Sequence, residues 1–242
     1  MNFAILLSGG TGTRIGGDIP KQYIRAGGRM MITWALKPLL HFQQIDSVVI
    51  VAAPSWRKVI LLDAERNGLE TEKIIGFSEP GETRQHSILN GLESVRTYRE
   101  KYLSEQKSQE DTAIIHDAAR PFLSESLLDA CYAALPGHDG VMPVLPMKDT
   151  LYLSYRGTRA DERLDRRRIF AGQAPELFLL APYYRANKKL TPDDFFGISG
   201  ATEPALLAGL NVAIIPGEER NRKVTTQTDV MHFVRQMEGA YT

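Results

Sequence analysis

Phe3-Ala4-Ile5-Leu6-Leu7, then Ser8-Gly9-Gly10-Thr11-Gly12-Thr13-Arg14, then Pro20-Lys21-Gln22-Tyr23, is the stretch on which the fold turns. The apolar residues read as a buried strand, and the glycines after them as the loop into which it empties. Gly9, Gly10 and Gly12 would let the backbone approach a polyphosphate with N–H groups turned inward and no Cβ in the way. Arg14 and Lys21 would supply the positive charge. The loop has no Gly-Lys-Ser/Thr ending, and Ile15 stands where a Gly-x-Gly-x-x-Gly spacing from Gly10 would need its last glycine, so neither common glycine-loop pattern fits. Taken alone, the glycines fit a tight strand-to-helix turn equally well.

Further along, Ser47 to Ala53, Thr112 to Ile115, Gly140 to Val144 and Val212 to Ile215 repeat the buried-strand pattern. Val48-Val49-Ile50-Val51-Ala52 is apolar on both faces, which predicts an α/β fold with a mostly parallel sheet and helices on both sides. Helical spacing predicts the intervening helices over Met30 to Phe42, Trp56 to Asn67, Arg84 to Tyr102 and Glu125 to Leu135. Residues 97–111 are polar and mixed in charge, and read as a solvated helix end and loop. Residues 146–169 break the rhythm. There Leu151, Leu153 and Tyr155 alternate with Tyr152 and Ser154 before Gly157 turns the chain, which predicts a projecting hairpin arm that packs on a second subunit.

The 242 residues are 43% hydrophobic, enough to bury one α/β core spanning 1–242 and to exclude disordered and fibrous classes. Lys+Arg and Asp+Glu are equal at 29 each, so no global field advertises nucleic acid or an anionic membrane. The single cysteine, Cys131, lies in a helical apolar pattern and reads as core rather than nucleophile. No apolar run approaches the ~20 residues of a membrane span. The expectation is a soluble, cytoplasmic protein without a nucleic-acid or membrane partner.

Two further groups fall at predicted strand ends, where open parallel sheets carry their ligands. His116-Asp117-Ala118-Ala119-Arg120-Pro121 puts an acid on the same rim as the glycine loop, and an acid beside a polyphosphate suggests Mg2+. The alternative is that Asp117 caps the next helix and pairs with Arg120; His116 on its own reads as structural. Gly81-Glu82-Thr83-Arg84-Gln85-His86-Ser87 could meet a base edge and ribose hydroxyls, or simply cap a helix. Asp165-Arg166-Arg167-Arg168 reads either as arginine forks suited to phosphate or as a solvated charge run, and Lys223 could reach a rim phosphate.

The ordered set Gly-Gly-Thr-Gly-Thr-Arg, Pro-Lys-Gln-Tyr, Gly81 to Ser87, His-Asp-Ala-Ala-Arg-Pro, Gln173-Ala174-Pro175-Glu176 and Lys223-Val224-Thr225 resembles the cytidylyltransferases that act on methylerythritol 4-phosphate and ribitol 5-phosphate. The resemblance spans nearly the whole chain. It implies a Rossmann-like nucleotide-diphospho-sugar transferase fold, CTP and a small polyol phosphate as substrates, Mg2+ as cofactor, and a homodimer formed through the arm. It places Ser8, Gly9, Gly10, Thr11 and Gly12 in the nucleotide loop, with Arg14 and Lys21 on the phosphates. Gly81, Glu82 and Ser87 fall around cytosine and ribose. Asp117 falls near acceptor and metal, Arg166 on the acceptor across the dimer, and Lys223 in the active site.

The chain departs from the family pattern in two places. Glu82 stands where aspartate is common, and Gln173-Ala174-Pro175-Glu176 where Gln-Thr-Pro-Gln is common. The glycine loop and the polar insertion ending Glu110-Asp111 resemble the ribitol branch; His-Asp-Ala-Ala-Arg-Pro resembles the methylerythritol branch. The expected acceptor is ribitol 5-phosphate, giving CDP-ribitol, with methylerythritol 4-phosphate as the alternative. The same fold also hosts sugar nucleotide pyrophosphorylases and could host a non-catalytic nucleotide-binding regulator. Retention of Arg14, Lys21, Asp117 and Lys223 argues against the regulator.

Overall fold

Strand β1 (Asn2–Leu7) pairs in parallel with β4 (Ser47–Val51) on one edge and with β6 (Thr112–Asp117) on the other, and β4 pairs in parallel with β5 (Ile74–Ser78). The computed structural model describes residues 1–10, 19–102 and 110–239. Side chains along these central strands alternate between two cores, as the two-residue period of a strand requires. Ala4, Leu6, Val48, Ile50 and Ile114 enter one core, with α1 (Met31–His41), α2 (Pro54–Arg66) and α4 (Glu125–Ala134) over it. Phe3, Ile5, Val49, Val51, Ala113 and Ile115 enter the other, under α3 (Arg84–Tyr102), α5 (Leu180–Lys188) and α7 (Glu203–Leu207). Each fully buried Ile, Val or Leu contributes roughly 1.5–3 kcal/mol relative to exposure, so this two-sided burial fixes the strand register. Cys131 is buried in the first core, as its helical pattern predicts.

The sheet is mixed beyond β6. Strand β11 (Glu176–Leu179) lies antiparallel between β6 and β7 (Gly140–Pro146), and β10 (Phe170–Gly172) continues along the same edge of β7. The opposite edge of β7 carries β12 (Val212–Pro216), in parallel. The antiparallel insertion modifies the expected mostly parallel sheet, because a four-residue apolar strand leaves no periodic signature to set its direction. Its consequence is local: Glu176 is brought beside the end of β6.

Two small hairpins stand outside this sheet. Strands β2 (Arg25–Ala26) and β3 (Arg29–Met30) form one, which packs on α8 (Gln227–Gly239) through Ala26, Val230 and Phe233. Strands β8 (Leu151–Leu153) and β9 (Glu162–Leu164) form the other, and this is the arm expected over 146–169. Tyr152 and Tyr155 on it are 61% and 76% exposed. A short helix, α6 (Pro192–Gly197), with a Thr191–Asp194 capping box, precedes α7. Among the described residues, no helix is long and apolar enough to cross a membrane.

Candidate active site

The C-terminal ends of β1 and β6 and the N-terminus of α3 open onto a cleft of about 420 Å3. Ser8, Gly9, Gly10, Lys21, Gly81, Glu82, Ser87, Asp117 and Lys223 all line it, so one concavity gathers residues spread over more than 200 positions. Thr11, Gly12 and Arg14, which complete the expected loop, lie outside the described residues. Arg166 is not among the residues lining this cleft. It lies exposed on a turn at 166–168, where it donates to the Lys148 carbonyl.

Neutral hydrogen bonds brace the glycine loop from behind. Gln22 Nε2 donates to the Ser8 carbonyl at 2.9 Å and to the Gly10 carbonyl at 2.6 Å, and Tyr23 Oη donates to the Ser8 carbonyl at 3.0 Å. Tyr23 in turn stacks on Trp56 with ring centroids 3.9 Å apart. Pro-Lys-Gln-Tyr therefore has a division of labour: Gln22 and Tyr23 are buried struts, and Lys21 between Pro20 and Gln22 faces the cleft. A Cβ on Gly9 would sit 2.5 Å from Pro80 Cβ, so the close approach of loop to loop requires glycine there.

The loop before α3 is braced in the same way. Ser87 Oγ accepts from the Gly81 N–H at 3.0 Å and donates to the Thr83 carbonyl at 3.1 Å. Its hydroxyl shapes the loop as well as lining the cleft. A Cβ on Gly81 would come within 2.2 Å of His86 Cβ. Glu82, at the mouth, is exposed.

Asp117 is the electrostatic centre. Lys223 Nζ lies 2.8 Å from Oδ2, Arg84 Nη2 lies 3.2 Å from Oδ1, and Arg120 Nε lies 3.9 Å from Oδ2. Burial alone would push the Asp117 carboxyl up; Arg84, Lys223 and Arg120 outweigh it and hold the group well below the usual carboxylate range. The Asp117–Arg120 pairing open from the sequence is thus present, but it is the longest of three. Arg84 and Glu176 lie within motifs quoted from the sequence, but neither was given a role in the site. Arg84 sat in the Gly81 to Ser87 segment, and a cation in the first turn of a rim helix was the available signal.

Both oxygens of Asp117, the expected ligand, are engaged, Oδ1 by Arg84 and Oδ2 by Lys223, so a magnesium ion here would be held chiefly by substrate phosphates. The donor set does not make a protein cage: among the described residues, no group of three His, Cys, Asp or Glu side chains converges.

His116 is structural, as its lone occurrence suggested. It is wholly buried, its Nε2 lies 3.0 Å from the Arg120 carbonyl, and burial pushes the imidazole down to about 4. An unfolded histidine titrates near 6.5, so the unfolded chain binds the extra proton first and stability is lost as pH falls from about 6.5 toward 4. The full difference is about 3 kcal/mol. Burial raises Glu176, which acts in the opposite direction above about 4.5, so the effect is read by difference. Denaturant melts at pH 7 and pH 5 should show a smaller pH-dependent loss for His116→Gln than for the parent; equal losses would refute this assignment.

The sequence matches a family model described as "IspD: 2-C-methyl-D-erythritol 4-phosphate cytidylyltransferase" over residues 3–234. A bifunctional enzyme IspD/IspF of Maricaulis maris is 35% identical over 240 residues, covering 97% of this chain and 56% of that protein. A 2-C-methyl-D-erythritol 4-phosphate cytidylyltransferase of Syntrophus aciditrophicus is 30% identical over 239 residues, covering 98% and 97%. The chain therefore spans about half the length of the bifunctional relatives it matches and nearly all of the shorter ones. Among solved structures, a 4-diphosphocytidyl-2C-methyl-D-erythritol synthase from Anaerococcus prevotii superposes with a TM-score of 0.76 at 21% identity, covering 98% of this chain and 96% of that one, which supports the fold.

These matches overturn the ribitol 5-phosphate expectation. Its cues were the glycine loop Gly-Gly-Thr-Gly-Thr-Arg, most of which lies outside the described residues, and the insertion ending Glu110-Asp111. Asp111 is buried against Arg99 and does not line the cleft. The segment that does build the wall around Asp117 is His-Asp-Ala-Ala-Arg-Pro, the cue for methylerythritol.

Proposed function

Since the chain belongs to the 2-C-methyl-D-erythritol 4-phosphate cytidylyltransferase family, we propose that it transfers CMP from CTP to 2-C-methyl-D-erythritol 4-phosphate and releases pyrophosphate. The observation that carries this reading is the meeting of Lys21, Lys223 and the paired Asp117 in one cleft with both braced glycine loops.

The chemistry follows from charge. An acceptor phosphate oxygen attacks the α-phosphorus of CTP, a new O–P bond forms, and the bond to the β-phosphate oxygen breaks. Both reactants are anions and repel one another. Lys21 sits on the nucleotide-loop side, where it would neutralise triphosphate oxygens. Lys223, tethered by Asp117, would meet the acceptor phosphate. These preorganised donors favour the oxygens that gain charge in the transition state. Magnesium, when bound, would screen the triphosphate and ease departure of pyrophosphate. No general base is required, because a phosphate monoester loses its second proton near pH 6. Gly81, Glu82 and the loop fixed by Ser87 would meet cytosine and ribose.

Pyrophosphate release with CTP and a panel of acceptors tests this proposal. Methylerythritol 4-phosphate should exceed ribitol 5-phosphate by ~10-fold or more in kcat/KM, the lower end of the discrimination a pocket achieves for a difference of about one carbon. Equal or faster turnover of ribitol 5-phosphate would refute it.

We further propose a homodimer in which Arg166 completes the partner's acceptor site. The exposed Tyr152 and Tyr155 and the absence of Arg166 from its own cleft support this reading. An isolated two-stranded hairpin is marginal in water and gains from a cover. Mixing inactive Arg166→Ala and Lys21→Ala proteins should recover activity, since a heterodimer would hold one intact site. Subunit exchange without recovery would overturn the shared site.

A further inference from the structure

Glu176, on β11, is 6% exposed and is not among the residues lining the cleft. Its Oε2 accepts from Thr202 Oγ1 at 2.6 Å, and its Oε1 lies 3.6 Å from Arg84 Nη2. Arg84 directs both Nε, at 3.3 Å, and Nη2, at 3.2 Å, to a single oxygen of Asp117, Oδ1. A guanidinium paired with one carboxylate favours a fork over both oxygens. Here the same Nη2 is also drawn toward Glu176, while Nη1 is buried and makes no hydrogen bond. The guanidinium is therefore oriented by two carboxylates on neighbouring antiparallel strands. The result is that Oδ2 of Asp117 is left to Lys223 at 2.8 Å, with Arg120 behind it.

We propose that Glu176 is a positioning residue acting through Arg84: by confining the guanidinium to one oxygen of Asp117, it reserves the other for Lys223 and so fixes the ammonium that meets the acceptor phosphate. This rests on the transferase reading for its kinetic consequence, but not for its geometry. The position is one of this chain's departures from the family pattern, a carboxylate in place of an amide. A carboxylate attracts a guanidinium more strongly than an amide does, so the orientation of Arg84 is more firmly set here.

Two variants and two readouts test the proposal. Glu176→Ala removes the competing carboxylate, and Glu176→Gln keeps the volume and the acceptor for Thr202 but removes the charge. With CTP and methylerythritol 4-phosphate, Glu176→Ala should lower kcat ~10-fold or more, as expected for misplacement of a reacting group, with the KM for CTP little changed. Glu176→Gln, which keeps an acceptor for Thr202 but not the charge, should show a smaller loss in the same direction. A purely structural role would instead lower the melting temperature while leaving kcat of the folded fraction unchanged, and that result would overturn the proposal. Crystal structures of both variants supply a readout that needs no substrate: Arg84 should fork across both Asp117 oxygens, and Lys223 should leave Oδ2, more completely in the alanine variant. If Arg84 stays on Oδ1 and Lys223 on Oδ2 in both, Glu176 does not position them. Should the Ala variant fail to fold, the Gln structure decides alone. An inactive parent protein would refute the transferase reading, and the crystallographic result would still decide the geometry.

Discussion

Replacing Lys21 with alanine should lower kcat/KM for CTP by ~10²-fold or more, the typical loss when one preorganised donor to a charge-gaining oxygen is removed. The backbone at this position is held independently of the side chain. Gln22 hangs from the Ser8 and Gly10 carbonyls, and Tyr23 is stacked on Trp56. The loop should therefore keep its shape, and the melting temperature should stay near that of the parent. Steady-state kinetics beside a thermal scan checks both halves. A near-normal rate in a well-folded variant would remove Lys21 from the phosphate-binding set; a collapse of stability would make it structural.

Asp117→Asn is expected to lose both stability and turnover. The substitution keeps the size and deletes the charge, so Arg84, Arg120 and Lys223 would face one another with Glu176, among the described residues, the carboxylate left to offset them. Removing one partner of a buried ion pair typically costs about 3–5 kcal/mol, because the remaining charges stay desolvated. Turnover should fall as well, since Lys223 loses its tether. Adding pyrophosphate in a thermal scan should restore more stability to the variant than to the parent, because an anion can then replace the missing carboxylate. Equal shifts for the two proteins would show that the cations do not face the ligand space. The acid limb gives a second check. Asp117 is held far below the unfolded carboxylate value, so the stability it contributes is present above about pH 4 and lost below it. That loss should be absent from the asparagine variant.

The central part of this fold was readable from local pattern. The apolar run Phe3 to Leu7 forms β1 (Asn2–Leu7), Val48 to Ala52 overlaps β4, and the helix expected over Arg84 to Tyr102 has those bounds in α3. All depend on periodicity within one segment. What could not be read is where segments meet. Strand β5 was not among the expected strands, since Gly76 interrupts the apolar pattern of Ile74–Ser78. Glu176–Leu179 gave no sign that it would run antiparallel between β6 and β7. Without that strand, Glu176 has no reason to lie near Arg84. The site followed the same division. Lys21, Asp117 and Lys223 stood out because charged residues follow predicted strands or loops at a common rim. Arg84 and Glu176 did not, because their roles arise from a contact 92 positions apart across α3 and β11. The acceptor expectation went astray for a related reason: it weighed an insertion whose buried Asp111 is tied to Arg99, away from the cleft.

The two walls of the cleft are held in different currencies. Amide, phenol and hydroxyl groups brace the glycine loops, so that wall is governed by shape and hardly by ionic strength. The wall around Asp117 is a knot of charge in which Arg84, Arg120, Lys223 and Glu176 each depend on the others. A lineage could therefore change the acceptor it takes through one or two charge substitutions on β6, β11 or the segment bearing Lys223 while the nucleotide wall stayed untouched. Such a division lets one half of a catalyst diversify while the other remains constant.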